Sequence, residues 1–171
     1  MLKRLPNAFH YGIMEAEIKV GANAMLGKEG AITEAEARQL NPVVLAFVGD
    51  AVYSLYVRER LVRSGAGKAS EFQRASSKIV SAEGQSEFLT VLEPLFTEEE
   101  LDVYKRGRNA KKATKSKNAS AVAYNRSTGF EAVIGYLYLT GKEERIQQLL
   151  SHADETLFKA IKAATAYKPS H

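Results

Sequence analysis

The 171-residue sequence contains no cysteine, which excludes disulfides and thiolate metal sites outright. That absence suits a reducing compartment, and a cytoplasmic location is the expectation. Histidine is almost as scarce: His10, His152 and His171 all lie near the ends of the chain. A Ser-His-Asp triad or a His-rich zinc site has nothing to build on. No apolar run reaches the ~18 residues that suggest a membrane span, so no membrane association is expected. Met1-Leu2-Lys3-Arg4 resembles the start of a signal peptide, but His10, Glu15 and Glu17 break the apolar run that should follow. Gly27-Lys28 and Gly67-Lys68 lack the remainder of a phosphate-binding loop. After residue 40 no strand pattern competes with helical periodicity, and no internal repeat or second domain is visible.

Acidic residues are missing from one long interval. Between Asp102 and Glu131 there is none, while Lys105, Arg106, Arg108, Lys111, Lys112, Lys115, Lys117 and Arg126 all fall there. The chain carries a net charge of +4, so these eight positive charges leave the remainder near −4. Such a cluster is the footprint of a polyanion partner, nucleic acid above all. Its alternative is a solubilising loop.

What is present reads as helices. Residues 1–40 balance five basic against five acidic residues and form an N-terminal extension with little regular pattern. Within it Thr33 and Glu36 have capping-box spacing. Asn41-Pro42 is an N-cap followed by a favoured first-turn residue, and predicts a helix to about Arg63, ended by Gly65 and Gly67. Its apolar residues lie on all faces, which marks a central helix. Ser70 and Gln73 have capping spacing for the next helix, with a bend at Gly84 and a further helix through Phe88, Leu89 and Leu92. Thr97 and Glu100 cap a helix ending near Arg106-Gly107, and Arg108 to Asn118 reads as an exposed basic loop. A helix from near Ser120 to Gly141 follows, then a last one from Glu144 to about Ala164 capped by Thr140 and Glu143. The expected class is all-α. The expected divisions are 1–40 as extension, 41–164 as the one helical domain and 165–171 as a fraying tail.

Two of these helices each hold one acid that a plain core would not keep. From Pro42 to Val57 the only charge is Asp50, and from Ser127 to Leu139 the only charge is Glu131. A charge buried alone is too costly to retain, so each must be paired, metal-bound or neutralised. Gly49 sits beside Asp50, and Gly129 and Gly135 flank Glu131, which suggests close backbone approach at both. If the two faces meet, the carboxylates repel unless a cation lies between them. Mg²⁺ accepts such hard oxygen ligands and completes its octahedron with water. Acids with a metal beside a basic loop fit phosphodiester cleavage. The residues alone leave a second reading open, in which each acid separately accepts hydrogen bonds in a polar core.

Phe47-Val48-Gly49-Asp50-Ala51-Val52 resembles the Phe-Leu-Gly-Asp signature helix of the ribonuclease III family. Phe130-Glu131-Ala132-Val133-Ile134-Gly135-Tyr136-Leu137-Tyr138-Leu139 resembles the second acidic helix of that family, and Lys78-Ile79-Val80-Ser81 fits between them. The likeness spans about residues 41–150. Lys105-Arg106-Gly107-Arg108-Asn109-Ala110-Lys111 is similar to a stretch of the short branch, Mini-ribonuclease III, which has the nuclease domain and no double-stranded-RNA-binding domain. The resemblance implies a ribonuclease III-like, all-helical homodimer that cuts double-stranded RNA with Mg²⁺. It implies Asp50 and Glu131 as catalytic metal ligands and Phe47 as a dimer contact, for which core packing is the alternative. Arg106, Arg108, Lys111, Lys112, Lys115 and Lys117 are the expected RNA-binding residues. The branch also implies the precursor of large-subunit (23S) ribosomal RNA as substrate, with a ribosomal protein as candidate partner.

There are departures from the larger enzymes. They carry a Glu four residues before the signature Asp and an Asp three before the second Glu; here those positions are Ala46 and Thr128. The short branch resembles this chain at both. The rival expectation is a catalytically inactive RNA-binding dimer of the same fold. A helical protein-interaction module is a third.

Overall fold

The structure is a computed structural model describing residues 30–64, 67–110 and 120–166, with side chains to 163. All regular structure among them is helical: α1 Glu34–Gln39, α2 Pro42–Arg63, α3 Ala69–Ile79, α4 Ala82–Leu92, α5 Glu98–Asn109, α6 Ala121–Leu139, α7 Glu143–His152 and α8 Asp154–Ala166. A single 3₁₀ turn, Glu93–Leu95, joins α4 to α5.

Local chemistry sets most of the starts. Thr33 Oγ accepts from the Glu36 N–H at 3.2 Å, and the Glu36 carboxylate accepts from the Thr33 N–H at 2.8 Å. Asn41 Oδ1 accepts from the Val43 N–H and Ser120 Oγ from the Ala123 N–H. Thr97 and Glu100 close the same reciprocal box as α1.

Four boundaries differ from the expectation. The carboxylate that accepts at the start of α3 belongs to Glu71, from the Lys68 N–H, and not to a Ser70/Gln73 pair. The bend before α4 lies at Val80-Ser81, where Ser81 Oγ accepts from the Gly84 N–H; Gly84 is already inside the helix. Gly107 does not end α5. It is buried in the helix, where an added Cβ would stand 2.8 Å from Ala132 Cβ and 3.0 Å from Gly129 Cα. The last helix is two: Lys142 precedes α7, and a turn at buried Ala153 starts α8, while Thr140 instead ends α6. The turn re-aims the chain so that Ile146, Leu149 and Leu150 on α7 and Leu157 and Ile161 on α8 all reach the core.

The central helix is α6, not α2. It packs on α2, α5 and α4, and from Ser127 to Leu137 only Glu131 escapes full burial. On α2 one side is buried through Leu45, Ala46, Gly49, Val52, Tyr53, Val57 and Leu61. The other side leaves Val44, Phe47, Leu55 and Val62 exposed. An all-round apolar helix needs cover on every face, and among the described residues α2 has it on one face only. Between α2, α4 and α6, Tyr53 meets Phe130 edge-on at 5.1 Å and Phe88 at 5.9 Å. Residues 30–40 join this body: the Ile32 N–H donates to the Leu139 carbonyl at 3.0 Å and Ala37 is fully buried.

Polar clamps tie the ends together. Glu99 receives Arg38, the Tyr136 hydroxyl at 2.6 Å and Lys142 at 3.2 Å. Buried Glu100 receives Arg145 through two nitrogens at 2.8 and 2.9 Å. The Arg38 hydrogen bond, helped by Tyr136 and Lys142, holds the Glu99 carboxyl down to about 2 from 4.5. A group depressed on folding stabilises the fold above its unfolded pKa, and that contribution is lost as pH falls from 4.5 towards 2. Glu99→Gln is therefore expected to flatten the decline of the thermal midpoint between those pH values. An unchanged acid limb in a calorimetric pH series would show that Glu99 takes no part in acid unfolding.

Candidate active site

The site is built where α2 crosses α6. An ideal Cβ on Gly49 would lie 1.8 Å from the Glu131 carbonyl oxygen and 2.7 Å from the Gly135 nitrogen. A Cβ on Gly135 would lie 1.9 Å from the Leu45 carbonyl oxygen. The two backbones touch there, and only residues without a side chain permit it. Asp50 follows Gly49 directly, and Glu131 is itself the residue whose carbonyl Gly49 meets. The crossing thus brings the neighbourhoods of the two acids together, as their flanking glycines suggest.

Burial of the two acids differs from the expectation. Asp50 is exposed and Glu131 half-buried. Leu45, Ala46, Gly49, Val52 and Tyr53 take the inward side of α2, and Asp50 is left on the flank, so it needs no buried partner to be tolerated. Glu131 is the acid with a protein environment. The buried Gln85 side chain donates from Nε2 to Glu131 Oε1 at 2.8 Å and to the Val80 carbonyl at 3.0 Å. Gln85 is absent from the site residues expected on sequence grounds. Its signal is a polar residue on the face of α4 that carries Phe88, Leu89 and Leu92, all buried.

Two positions that hold acids in the larger enzymes supply none here. Ala46 is buried in the core, and buried Thr128 donates its hydroxyl to the Tyr124 carbonyl at 2.9 Å. No group of three or more His, Cys, Asp or Glu side chains gathers among the described residues. The donors expected from the sequence are the two carboxylates of Asp50 and Glu131. Their hard oxygens fit Mg²⁺, an ion that keeps several waters and is commonly held by one or two carboxylates plus substrate phosphates.

Phe47 is 80% exposed, so it takes no part in the core of the described residues. It stands one turn before Asp50, next to exposed Val44. The basic residues separate. Arg106 is half-buried and donates to the Leu40 carbonyl at 3.2 Å, which ties α5 to the α1–α2 junction. Arg108 lies over the Tyr104 ring at 5.6 Å and lines a cleft with Asn125 and Arg126. Lys111, Lys112, Lys115 and Lys117 fall outside the described residues. No described helix is long and apolar enough to cross a membrane.

Comparison with known proteins agrees with this architecture. The Ribonuclease III domain family matches residues 43–142, which contain both acids and the crossing. Mini-ribonuclease 3 of Brevibacillus brevis is 50% identical over 113 residues, covering 66% of this chain and 84% of that protein. Mini-ribonuclease 3 of Streptococcus pneumoniae is 46% identical over 114 residues, covering 66% and 89%. An X-ray crystal structure of a Fusobacterium nucleatum protein superposes with a TM-score of 0.64 at 27% identity, over 71% of this chain and 97% of that one. A matching family domain over most of the helical body, close relatives of one name and a shared all-helical fold have one reading: the chain belongs to the ribonuclease III family, in its Mini-ribonuclease 3 branch, and is an endoribonuclease.

Proposed function

We propose that this endoribonuclease cleaves double-stranded RNA in a magnesium-dependent reaction, with Asp50 and Glu131 as its catalytic metal ligands. The observation that carries the reading is the backbone contact of Gly49 with Glu131, which joins the two acids' segments at one crossing. Magnesium, when bound, supplies charge neutralisation at the attacked phosphate and acidifies a water. The chain's own groups do the rest. Exposed Asp50 meets the substrate side, and Glu131 is steadied from within by Gln85.

RNA grip is assigned to Arg106, Arg108, Lys111, Lys112, Lys115 and Lys117, with Arg126 beside Arg108. A-form RNA buries its base edges in a deep major groove, so a protein holds phosphates and 2′-hydroxyls across the minor groove. Arg106 uses one of its five guanidinium N–H groups on the Leu40 carbonyl, and Arg108 lines an open cleft with Arg126. The exposed Phe47 and Val44 face supports a two-fold homodimer, which gives one site per strand of the duplex. The substrate we assign is the precursor of 23S ribosomal RNA in the cytoplasm, with a ribosomal protein on that RNA as candidate partner. We assign residues 41–164 to the nuclease domain, with 1–40 before it, of which Ile32 and Ala37 pack on the helical body, and 165–171 after it, the first two of these still in α8.

The test is a gel of duplex RNA incubated with the protein, with and without Mg²⁺. Cleavage only with Mg²⁺ is expected; binding without cleavage under both conditions would mark an inactive RNA-binding protein. Replacing Lys111, Lys112, Lys115 and Lys117 by Ala should weaken duplex binding alike for different sequences. The slope of log affinity against log salt should flatten by up to about one unit for each phosphate no longer neutralised. Affinity lines at several salt concentrations that coincide with wild type would place the RNA elsewhere.

A further inference from the structure

Gln85 is a buried polar side chain set directly against Glu131, and its geometry is informative. It lies in the first turns of α4 and is 1% exposed. Its amide nitrogen stands 3.0 Å from the Val80 carbonyl and 2.8 Å from Glu131 Oε1; both are acceptors, so the NH₂ end must face them. Both amide hydrogens are thereby used, one on the end of α3 and one on Glu131. The other end of the amide gains nothing: Gln85 Oε1 is buried with no hydrogen-bond partner among the described residues. A Leu or Met of similar size would fill the space without an orphaned acceptor. Packing therefore does not account for a glutamine here, while a donor shared between the Val80 carbonyl and Glu131 does.

The anchor is firm. The Gln85 N–H donates to the Ser81 carbonyl at 2.9 Å, and Ser81 Oγ accepts from the Gly84 N–H at 3.2 Å. Gly84 lies so close to the end of α3 that a Cβ there would stand 2.3 Å from the Ile79 carbonyl. The α3–α4 turn is thus locked to the helix before it, and Gln85 transmits that position to the Glu131 carboxylate.

We infer that Gln85 is a positioning residue for the metal site, holding one oxygen of Glu131 so that the carboxylate keeps a ligating orientation. The inference rests on Glu131 being a metal ligand. Partners that orient a ligand from outside the ligand set typically change metal affinity or activity about 10–100-fold when removed.

The experiment compares wild type, Gln85→Met and Asp50→Asn. Methionine keeps length and bulk and has no donor. For Gln85→Met the Mg²⁺ concentration giving half-maximal cleavage is expected to rise about 10-fold or more. Mn²⁺ binding to the RNA-free protein, read by electron paramagnetic resonance, should weaken in proportion. Duplex affinity without divalent ions should stay as in wild type, while the melting temperature should fall modestly, because the Val80 carbonyl and Glu131 lose a donor even as the orphaned acceptor disappears. A shifted melting temperature with wild-type Mn²⁺ binding would overturn the inference, because that is what a merely structural glutamine would show. Should Asp50→Asn lose Mn²⁺ while Gln85→Met binds it normally, the metal reading stands and the Gln85 inference falls. Should Asp50→Asn bind Mn²⁺ as wild type does, the metal reading falls and takes the inference with it. A measurement on the wild-type protein needs no variant to fold: the Gln85 side-chain amide signals in nitrogen-15 spectra should shift during a Mg²⁺ titration with the midpoint of cleavage. Amide signals indifferent to Mg²⁺ up to saturating cleavage would also overturn it.

Discussion

Asp50→Asn is expected to reduce duplex cleavage by on the order of 10³-fold or more, as loss of a group central to the chemistry does, while the fold is kept. The substitution preserves size and removes one of the two carboxylates proposed as metal ligands, and no group of three or more His, Cys, Asp or Glu side chains among the described residues offers a substitute. An amide oxygen is a weaker ligand for a hard cation than a carboxylate, so metal occupancy and stabilisation of the developing phosphate charge fall together. Stability should move by less than about 0.5 kcal/mol, the range of a surface substitution, because Asp50 is exposed. A buried, repelled Asp50 would give a larger gain in stability on neutralisation; exposure removes the reason for it. Single-turnover cleavage at saturating RNA and a melting curve on the same preparation decide the matter. Cleavage at the wild-type rate would remove Asp50 from the site.

Gly49→Ala should do the opposite of Asp50→Asn and damage the fold first. The added methyl would stand 1.8 Å from the Glu131 carbonyl oxygen and 2.7 Å from both the Glu131 carbon and the Gly135 nitrogen. All three are backbone atoms of the central helix, with no flexible side chain to yield. The helices must separate, and α6 is packed on its other sides by α4 and α5. Overpacking of side chains commonly costs about 1–3 kcal/mol and occasionally more; backbone against backbone belongs to the upper end. The helix-propensity gain of alanine over glycine, about 1 kcal/mol, offsets part of it. A net loss of about 2–4 kcal/mol corresponds to a melting temperature lower by roughly 5–15 °C in a domain of this size. Activity should fall as well, since the displaced atoms belong to the segments of both acids. Gly30→Ala is the control: nothing lies within 4 Å of a Cβ there, and little change is expected. If Gly49→Ala melts with wild type by calorimetry, the helices do not touch as described.

The sequence by itself determined the class of the fold, the starts of α1, α2, α5 and α6, and the two acids with their glycine neighbours. Those features depend on interactions short in sequence. A cap joins residues two or three apart, as Asn41 joins Val43 and Thr97 joins Glu100. The two acids are conspicuous because each stands alone in an apolar helix. Tertiary structure decided which face of each helix is covered. Periodicity makes α2 the centre of the molecule, yet α6 takes that place, since α4 and α5 pack on it as well as α2. Phe47 and Asp50 therefore lie exposed on a helix that reads as buried. Gly107 reads as a stop and proves to be a contact, because the cost of glycine within a helix can be offset by a neighbour that only packing supplies. Gln85 is the clearest case. Its place on the face of Phe88, Leu89 and Leu92 marks it as inward, but nothing within its own helix names Glu131, 46 positions along the chain, as what it meets. Only the packing of α4 on α6 joins the two.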